Sequence, residues 1–248
     1  MFLYNNPMKY LYILKVGETF PQTKQKYNDF DTWISRFLKK SKNRIKTINI
    51  LENEKLPNLK SARGFIITGS HSMVTQELPW SIKLEKYIKS ISKREIPLLG
   101  ICYGHQLIAK ALGGKSDFNK NGKEIGVVKI NTLQKNYNDP ILKALPKKFY
   151  AYETHYQTVV KLPYNAKVLG KNKKENHQIV RFHTNVWGVQ FHPEFDKNIM
   201  KEYILNQKDD LKKLGFNINK LLNDLRSCDV SSRILKNFEK ITQNSLKQ

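Results

Sequence analysis

The chain has 248 residues, 40% of them hydrophobic, enough to bury one substantial core. Lys+Arg 44 against Asp+Glu 21 gives a net charge of +23, but the lysines are strewn along the whole length without a recognition motif or basic-aromatic stripe, which argues for a solvated basic surface and against a nucleic-acid partner. No apolar stretch approaches the roughly 20 residues of a spanning helix, and Met1-Phe2-Leu3-Tyr4 is too short for a signal core, so the expectation is a cytoplasmic protein with no membrane contact.

Short apolar runs bounded by turn residues alternate with helical patterns, as in a parallel sheet flanked by helices. Tyr10 to Val16 is the first predicted strand, followed by a helix over Asp29 to Lys39 with Phe30, Trp33, Ile34 and Phe37 on one stripe. Ile45 to Leu51 and Gly64 to Thr68 are the next strands. A helix over Trp80 to Arg94 then carries Leu84, Tyr87, Ile88 and Ile91 at helical spacing, and Pro97 to Ile101 is the fourth strand. All four strands are expected to be buried on both faces.

Cys102 follows directly, in Gly100-Ile101-Cys102-Tyr103-Gly104-His105-Gln106. Glycines two before and two after a nucleophile permit a sharp strand-to-helix turn that holds its side chain clear of the sheet and points it at a helix N-terminus, where a thiolate is favoured. The helix, Gly104 to Leu112, closes at Gly113-Gly114. His105 points along it and is expected to pack locally.

The second half is more strand-like. Ile125 to Ile130, Thr158 to Lys161, Ala166 to Leu169, Gln178 to Phe182 and Val186 to Gln190 predict a mixed sheet, with turns at Asn121-Gly122 and Thr184-Asn185; His177 and His183 lie at surface strand or turn positions. Ninety residues after Cys102 (192 − 102) comes Gly188-Val189-Gln190-Phe191-His192-Pro193-Glu194-Phe195. His192 supplies a base and Glu194 its orienting acid, so Cys102, His192 and Glu194 fill the roles of a hydrolytic triad. From Asp196 onward the pattern turns helical. Without an internal repeat or a linker, the expectation is a single domain over residues 1–248, with a core of about 8–195 and a helical extension over 196–248. Cys228 is expected as a buried packing thiol. The two cysteines have no CxxC spacing, which argues against a disulfide framework or a metal site.

Pro97 to Gly114 and Gly188 to Phe195 together resemble the class I, or triad, glutamine amidotransferases, and in particular free-standing relatives of the glutaminase domain of GMP synthetase, which have a similar helical extension. Ile66-Ile67-Thr68-Gly69-Ser70 stands where that family has its oxyanion strand and loop, Gly122-Lys123-Glu124-Ile125-Gly126 is similar to its G-x-E-x-G segment, and Thr154-His155-Tyr156-Gln157 to its Ser-His segment. His71 departs from the family, which often has Pro there. The resemblance implies a flavodoxin-like α/β fold with an open, mostly parallel sheet. It also implies backbone oxyanion donors at Ser70 and Tyr103, and a glutamine pocket shaped by Gly69, Gln106, Glu124 and His155.

The implied activity is hydrolysis of the glutamine side-chain amide through a thioester, with no metal or organic cofactor. The sequence has no G-x-x-x-x-G-K loop and no S-G-G-x-D-S run for activating an acceptor, so a separate synthetase would take the ammonia. Two alternatives stay open: a self-sufficient γ-glutamyl hydrolase or peptidase, and a catalytically idle binding protein that uses its basic surface.

Overall fold

A computed structural model describes residues 8–133 and 138–244; Met1 to Tyr4, considered above as a targeting segment, lie outside the described residues. The chain order is β1 (Tyr10–Lys15), α1 (Pro21–Tyr27), α2 (Phe30–Ser35), β2 (Ile45–Asn49), β3 (Ala62–Ile67), α3 (Pro79–Lys93), β4 (Leu98–Ile101), α4 (Tyr103–Ala111), β5 (Lys115–Phe118) and β6 (Glu124–Thr132). There follow β7 (Lys148–His155), β8 (Gln157–Lys161), β9 (Lys167–Lys171), β10 (Ile179–His183), β11 (Val186–Val189), α5 (Lys197–Asn206), α6 (Lys208–Lys213), α7 (Ile218–Asn223) and α8 (Arg233–Asn244).

Nine strands form one sheet in the order β2-β1-β3-β4-β11-β10-β9-β6-β7. The first five are parallel and the rest antiparallel, while β5 and β8 make a separate antiparallel pair. This is the expected open, mostly parallel sheet flanked by helices. From β1 the chain steps outward to β2 and then back across to β3, and such a reversal opens a crevice at the carboxyl ends of the strands.

Alternation inside the buried strands divides the core between the two faces. Leu11, Ile13 and Leu99 point to the side covered by Ile234, Leu235 and Phe238 of α8; Leu14, Phe65 and Ile67 point to Ile88 of α3 and Leu107 of α4. Helix α8 of the tail thus covers part of one face, beside Ile34, Leu38, Ile141 and Leu142.

Several expectations change. β2 is an edge strand with only one neighbour and exposed Lys46 and Thr47, so it is not buried on both faces. The helix expected over Asp29 to Lys39 ends at Ser35, and Lys39–Arg44 form a 3-10 segment. β5, β7 and α1 have no counterpart among the predicted elements. In β7 exposed Lys148 and Tyr150 alternate with buried Phe149 and Ala151, because it forms the other edge.

Candidate active site

The crevice is built by residues just beyond β1, β3, β4 and β11. Val16 N–H donates to Thr68 Oγ1 at 3.0 Å, and Thr68 donates on to the Gly69 carbonyl at 3.0 Å, so the ends of β1 and β3 are laced together. Cys102 lies between β4 and α4 with φ +50° and ψ −102°, a strained backbone for a residue with a side chain. The flanking glycines allow it by close approach. A Cβ on Gly100 would lie 2.4 Å from the Gly104 carbonyl carbon, and one on Gly104 would lie 2.6 Å from the Ile67 oxygen.

Val189 is level with Ile101 in the parallel pairing of β11 with β4. Beyond it the chain places His192, whose N–H donates to the Tyr152 carbonyl at 2.8 Å. The imidazole stacks on Phe195 at 4.2 Å, with Phe30 of α2 at 6.1 Å in a near-parallel plane. The aromatic stripe of α2 is therefore core, and it serves as the backing of the imidazole.

Nδ1 of His192 lies 2.7 Å from Glu194 Oε1, which leaves Nε2 as the ring nitrogen for the sulfur. Burial alone would pull this imidazole down, but the Glu194 carboxylate and the charge and hydrogen bond of Cys102 outweigh it and push the pKa up to about 10. Glu194 is fully buried. Arg36 clamps its segment, donating to the Glu194 carbonyl at 3.0 Å and to Asp196 at 3.1 Å.

Cys102 Sγ accepts from Gln190 Nε2 at 3.6 Å and lies 3.9 Å from the Thr154 carbonyl. It opens into a cavity of about 260 Å³ that is also lined by Ser70, His71, Tyr103, Gln106, His155 and Gln157. Tyr103 is the first residue of α4, where N–H groups have no acceptor within the helix. Ser70 belongs to the loop after β3, and Gly69 packs so tightly that a Cβ there would be 2.9 Å from His192 Cε1. His71, at the position where the resemblance suggested Pro, is wedged between Phe20 at 4.5 Å and Tyr203 at 5.9 Å. Burial and the nearby His192 and Lys123 charges lower its pKa, so the ring is neutral near pH 7.

Gln106 donates to the Gln157 carbonyl at 2.6 Å and to Gln190 at 3.0 Å, and so reaches the sulfur through Gln190. Glu124 is not among the cavity-lining residues. It stands behind His155, whose Nε2 is 3.5 Å from Glu124 and 3.7 Å from Glu153, while its Nδ1 meets the Gln157 carbonyl at 2.9 Å. Burial depresses His155, but the two carboxylates raise it well above the ordinary imidazole range. Among the described residues these three are the one group of His, Cys, Asp or Glu able to surround a metal ion; Asn172 and Gln178 already donate to the carboxylates. His105 is fully buried, against Phe182 and Gly188, in line with local packing.

Sequence reasoning overlooked Gln190, although it stands inside the His192 motif, as well as Lys123 and the tail residues Tyr203, Gln207 and Asp210, which also line the cavity. For Tyr203 on α5 and Gln207 at its C-cap, the i, i+4 spacing was the available signal.

The family model for class I glutamine amidotransferases matches residues 25–210. The chain belongs to that family. Its members are cysteine-dependent amide hydrolases. Similar proteins include gamma-glutamyl peptidase 4 of Arabidopsis thaliana, 32% identical over 152 residues, or 59% of each chain. One subunit of the glutamine-hydrolyzing GMP synthase of Pyrococcus abyssi is 39% identical over 111 residues, 44% of this chain and 57% of that one. The matched stretches thus span 59% and 57% of these two relatives. A crystal structure of a glutamine amidotransferase from Thermotoga maritima superposes with a TM-score of 0.76 over 94% of this chain and 98% of that one, at 23% identity, a likeness of fold. Among the described residues no helix is long and apolar enough to cross a membrane.

Proposed function

We propose that this chain hydrolyses the side-chain amide of glutamine with Cys102 as nucleophile, His192 as proton carrier and Glu194 as the group that orients and balances the imidazole. The observation that carries this is the 2.7 Å bond between His192 and Glu194, made by an imidazole whose pKa the Glu194 carboxylate and the Cys102 sulfur raise, with Cys102 on a strained strand-to-helix turn. The sulfur attacks the carboxamide carbon, and the oxyanion takes hydrogen bonds from the backbone N–H groups of Ser70 and Tyr103. His192 gives its proton to the departing nitrogen, and ammonia leaves a glutamyl thioester. Water, deprotonated by His192, attacks the thioester carbonyl; glutamate leaves and the thiol is restored. Gly69 sets the imidazole against the oxyanion loop, Gln106 and His155 shape the wall, and Glu124 acts through His155.

Ammonia released here goes to a separate acceptor enzyme, a reading supported by the likeness to a GMP synthase subunit that is itself one part of a divided enzyme. Its place is the cytoplasm, in keeping with two free cysteines. The protein folds as one unit, a reading supported by the packing of α8 on the core face of β1 and β4. A second reading, γ-glutamyl peptide hydrolysis, draws on the likeness to gamma-glutamyl peptidase 4, since the same thioester forms from any γ-glutamyl amide.

The test is a panel of glutamine, γ-glutamylglycine and glutathione, assayed for glutamate, ammonia and released amine beside a Cys102→Ala control. Preference for glutamine, abolished in Cys102→Ala, supports the amidotransferase; preference for the peptides supports the peptidase. Equal turnover by Cys102→Ala overturns both.

A further inference from the structure

Lys123 begins the approach to β6 and is only 6% exposed, yet it lines the Cys102 cavity. Its Nζ donates to Gln207 Oε1 at 2.8 Å and sits 3.8 Å above the Tyr156 ring. Among the described residues no carboxylate oxygen lies within 4.0 Å of it, the limit for an ion pair. A buried ammonium held by one amide and a ring face lacks the opposite charge that normally offsets desolvation, and Nζ still has donors to spare. Burial pulls its pKa down to about 8, against the upward pull of the Cys102 sulfur and Asp210, so most of the group is charged at pH 7.

We propose that Lys123 is the substrate-binding residue that reads the α-carboxylate of the γ-glutamyl donor. The assignment rests on the amide hydrolysis proposed above. Glutamine carries a single anionic group, its α-carboxylate, and although Asp210 also lines the cavity, the Lys123 Nζ has no carboxylate within ion-pair distance among the described residues and is matched in sign to that group. Bound carboxylate supplies the missing counter-charge while Gln207, the C-cap of α5, keeps the ammonium in place. The Tyr156 ring, 3.8 Å from Nζ, adds a contact that strengthens when water is excluded. The helical tail therefore takes part in substrate selection, through Gln207.

The decisive comparison is hydrolysis of glutamine against 4-aminobutanamide, which is glutamine without its α-carboxylate, by the native enzyme, Lys123→Met and Lys123→Arg. The native enzyme should favour glutamine in kcat/KM by about 10²-fold, the scale of a desolvated charge-assisted pair. Lys123→Met should erase most of that preference through KM for glutamine, leaving 4-aminobutanamide within about twofold of native, and Lys123→Arg should keep most of it. Loss of both substrates by the same factor marks a structural role and overturns the proposal, as does a native-like preference in Lys123→Met. If Lys123→Met spares glutamine and impairs only γ-glutamylglycine, the carboxylate read is that of the leaving group and the proposal falls. In each of these outcomes glutamine hydrolysis by the native enzyme stands. A native enzyme that hydrolyses none of the three removes the proposed activity first, and this assignment with it.

Discussion

Gln190 sits one residue beyond Val189, which pairs with Ile101, and that register brings its amide nitrogen to 3.6 Å from Cys102 Sγ. Gln190 is fully buried, and Gln106 Nε2 fixes its orientation by donating to its oxygen. Parallel pairing of β11 with β4 is thus what brings Gln190 and His192 to the side of Cys102.

Replacing Gln190 with Leu should remove a hydrogen bond to the Cys102 sulfur while keeping the volume filled. Such bonds are worth about 0.5–1.5 kcal/mol, so alkylation of Cys102 by iodoacetamide at pH 7 should slow by about two- to tenfold. An unchanged alkylation rate would count against a role for Gln190 at the sulfur.

Glu194→Gln keeps the shape of the side chain but removes the negative charge of the proposed triad. Turnover should fall by about 10²–10⁴-fold, as expected when the group orienting a catalytic imidazole is neutralised. The pH profile carries the sign: the Glu194 charge raises His192 towards about 10, so its loss should move the alkaline limb of kcat/KM to lower pH. A limb that stays in place would show that Glu194 does not tune the imidazole.

Gly69→Ala would set a methyl group 2.9 Å from His192 Cε1, against a ring that Glu194 and Phe195 hold in place. Either the imidazole or the loop bearing the Ser70 N–H must move. Displacements of this size cost about 10²-fold in turnover, so kcat should drop with little change in thermal stability, and steady-state kinetics beside a melting curve will show whether it does.

Buried Glu153 is raised to about 7, first by desolvation and also by Glu124, despite the lowering influence of His155. The folded protein therefore holds a proton on Glu153 that the unfolded chain releases near 4.5, and the stability linked to that proton is present below about 4.5 and lost as pH rises through about 7. Glu153→Gln cannot ionise. Relative to the native protein, its unfolding free energy in urea should improve steadily from pH 5 to about 8; parallel curves would contradict the assigned shift.

Phe238→Ala tests whether α8 belongs to the same folding unit as the sheet. Phe238 is fully buried and meets Trp187 edge-on at 6.5 Å. Truncation should cost about 3–5 kcal/mol and lower one cooperative transition for the entire chain. Two separated transitions would mean that the tail folds apart.

Much of this arrangement was legible because its causes are local. The buried strands β1, β3 and β4 announce themselves as apolar runs, Gly100 and Gly104 are needed by the turn that holds Cys102, and the two-residue step from His192 to Glu194 spans their hydrogen bond. What escaped was set by long-range pairing. β7 shows a mixed pattern because it is an edge, and the single-neighbour position of β2 follows from sheet order, which local periodicity does not encode. Glu124 looked like a pocket residue, yet its link to the cavity runs through His155, across a β6–β7 pairing that puts the two opposite one another. Lys123, Tyr203 and Gln207 meet because α5 docks on the far side of the crevice, an approach with no signature in the residues around Lys123.

Tyr203 touches Phe20, His71 and Phe195 and, with Gln207, forms a wall of the cavity, which makes the chain's last quarter and the thiol's chamber a thermodynamically linked pair. For the glutamine binding proposed above, whatever steadies α5 would tighten the grip on the substrate, and the substrate would steady α5 by an equal factor. An acceptor protein that clasped this segment would thereby adjust fuel uptake at a thiol it never meets.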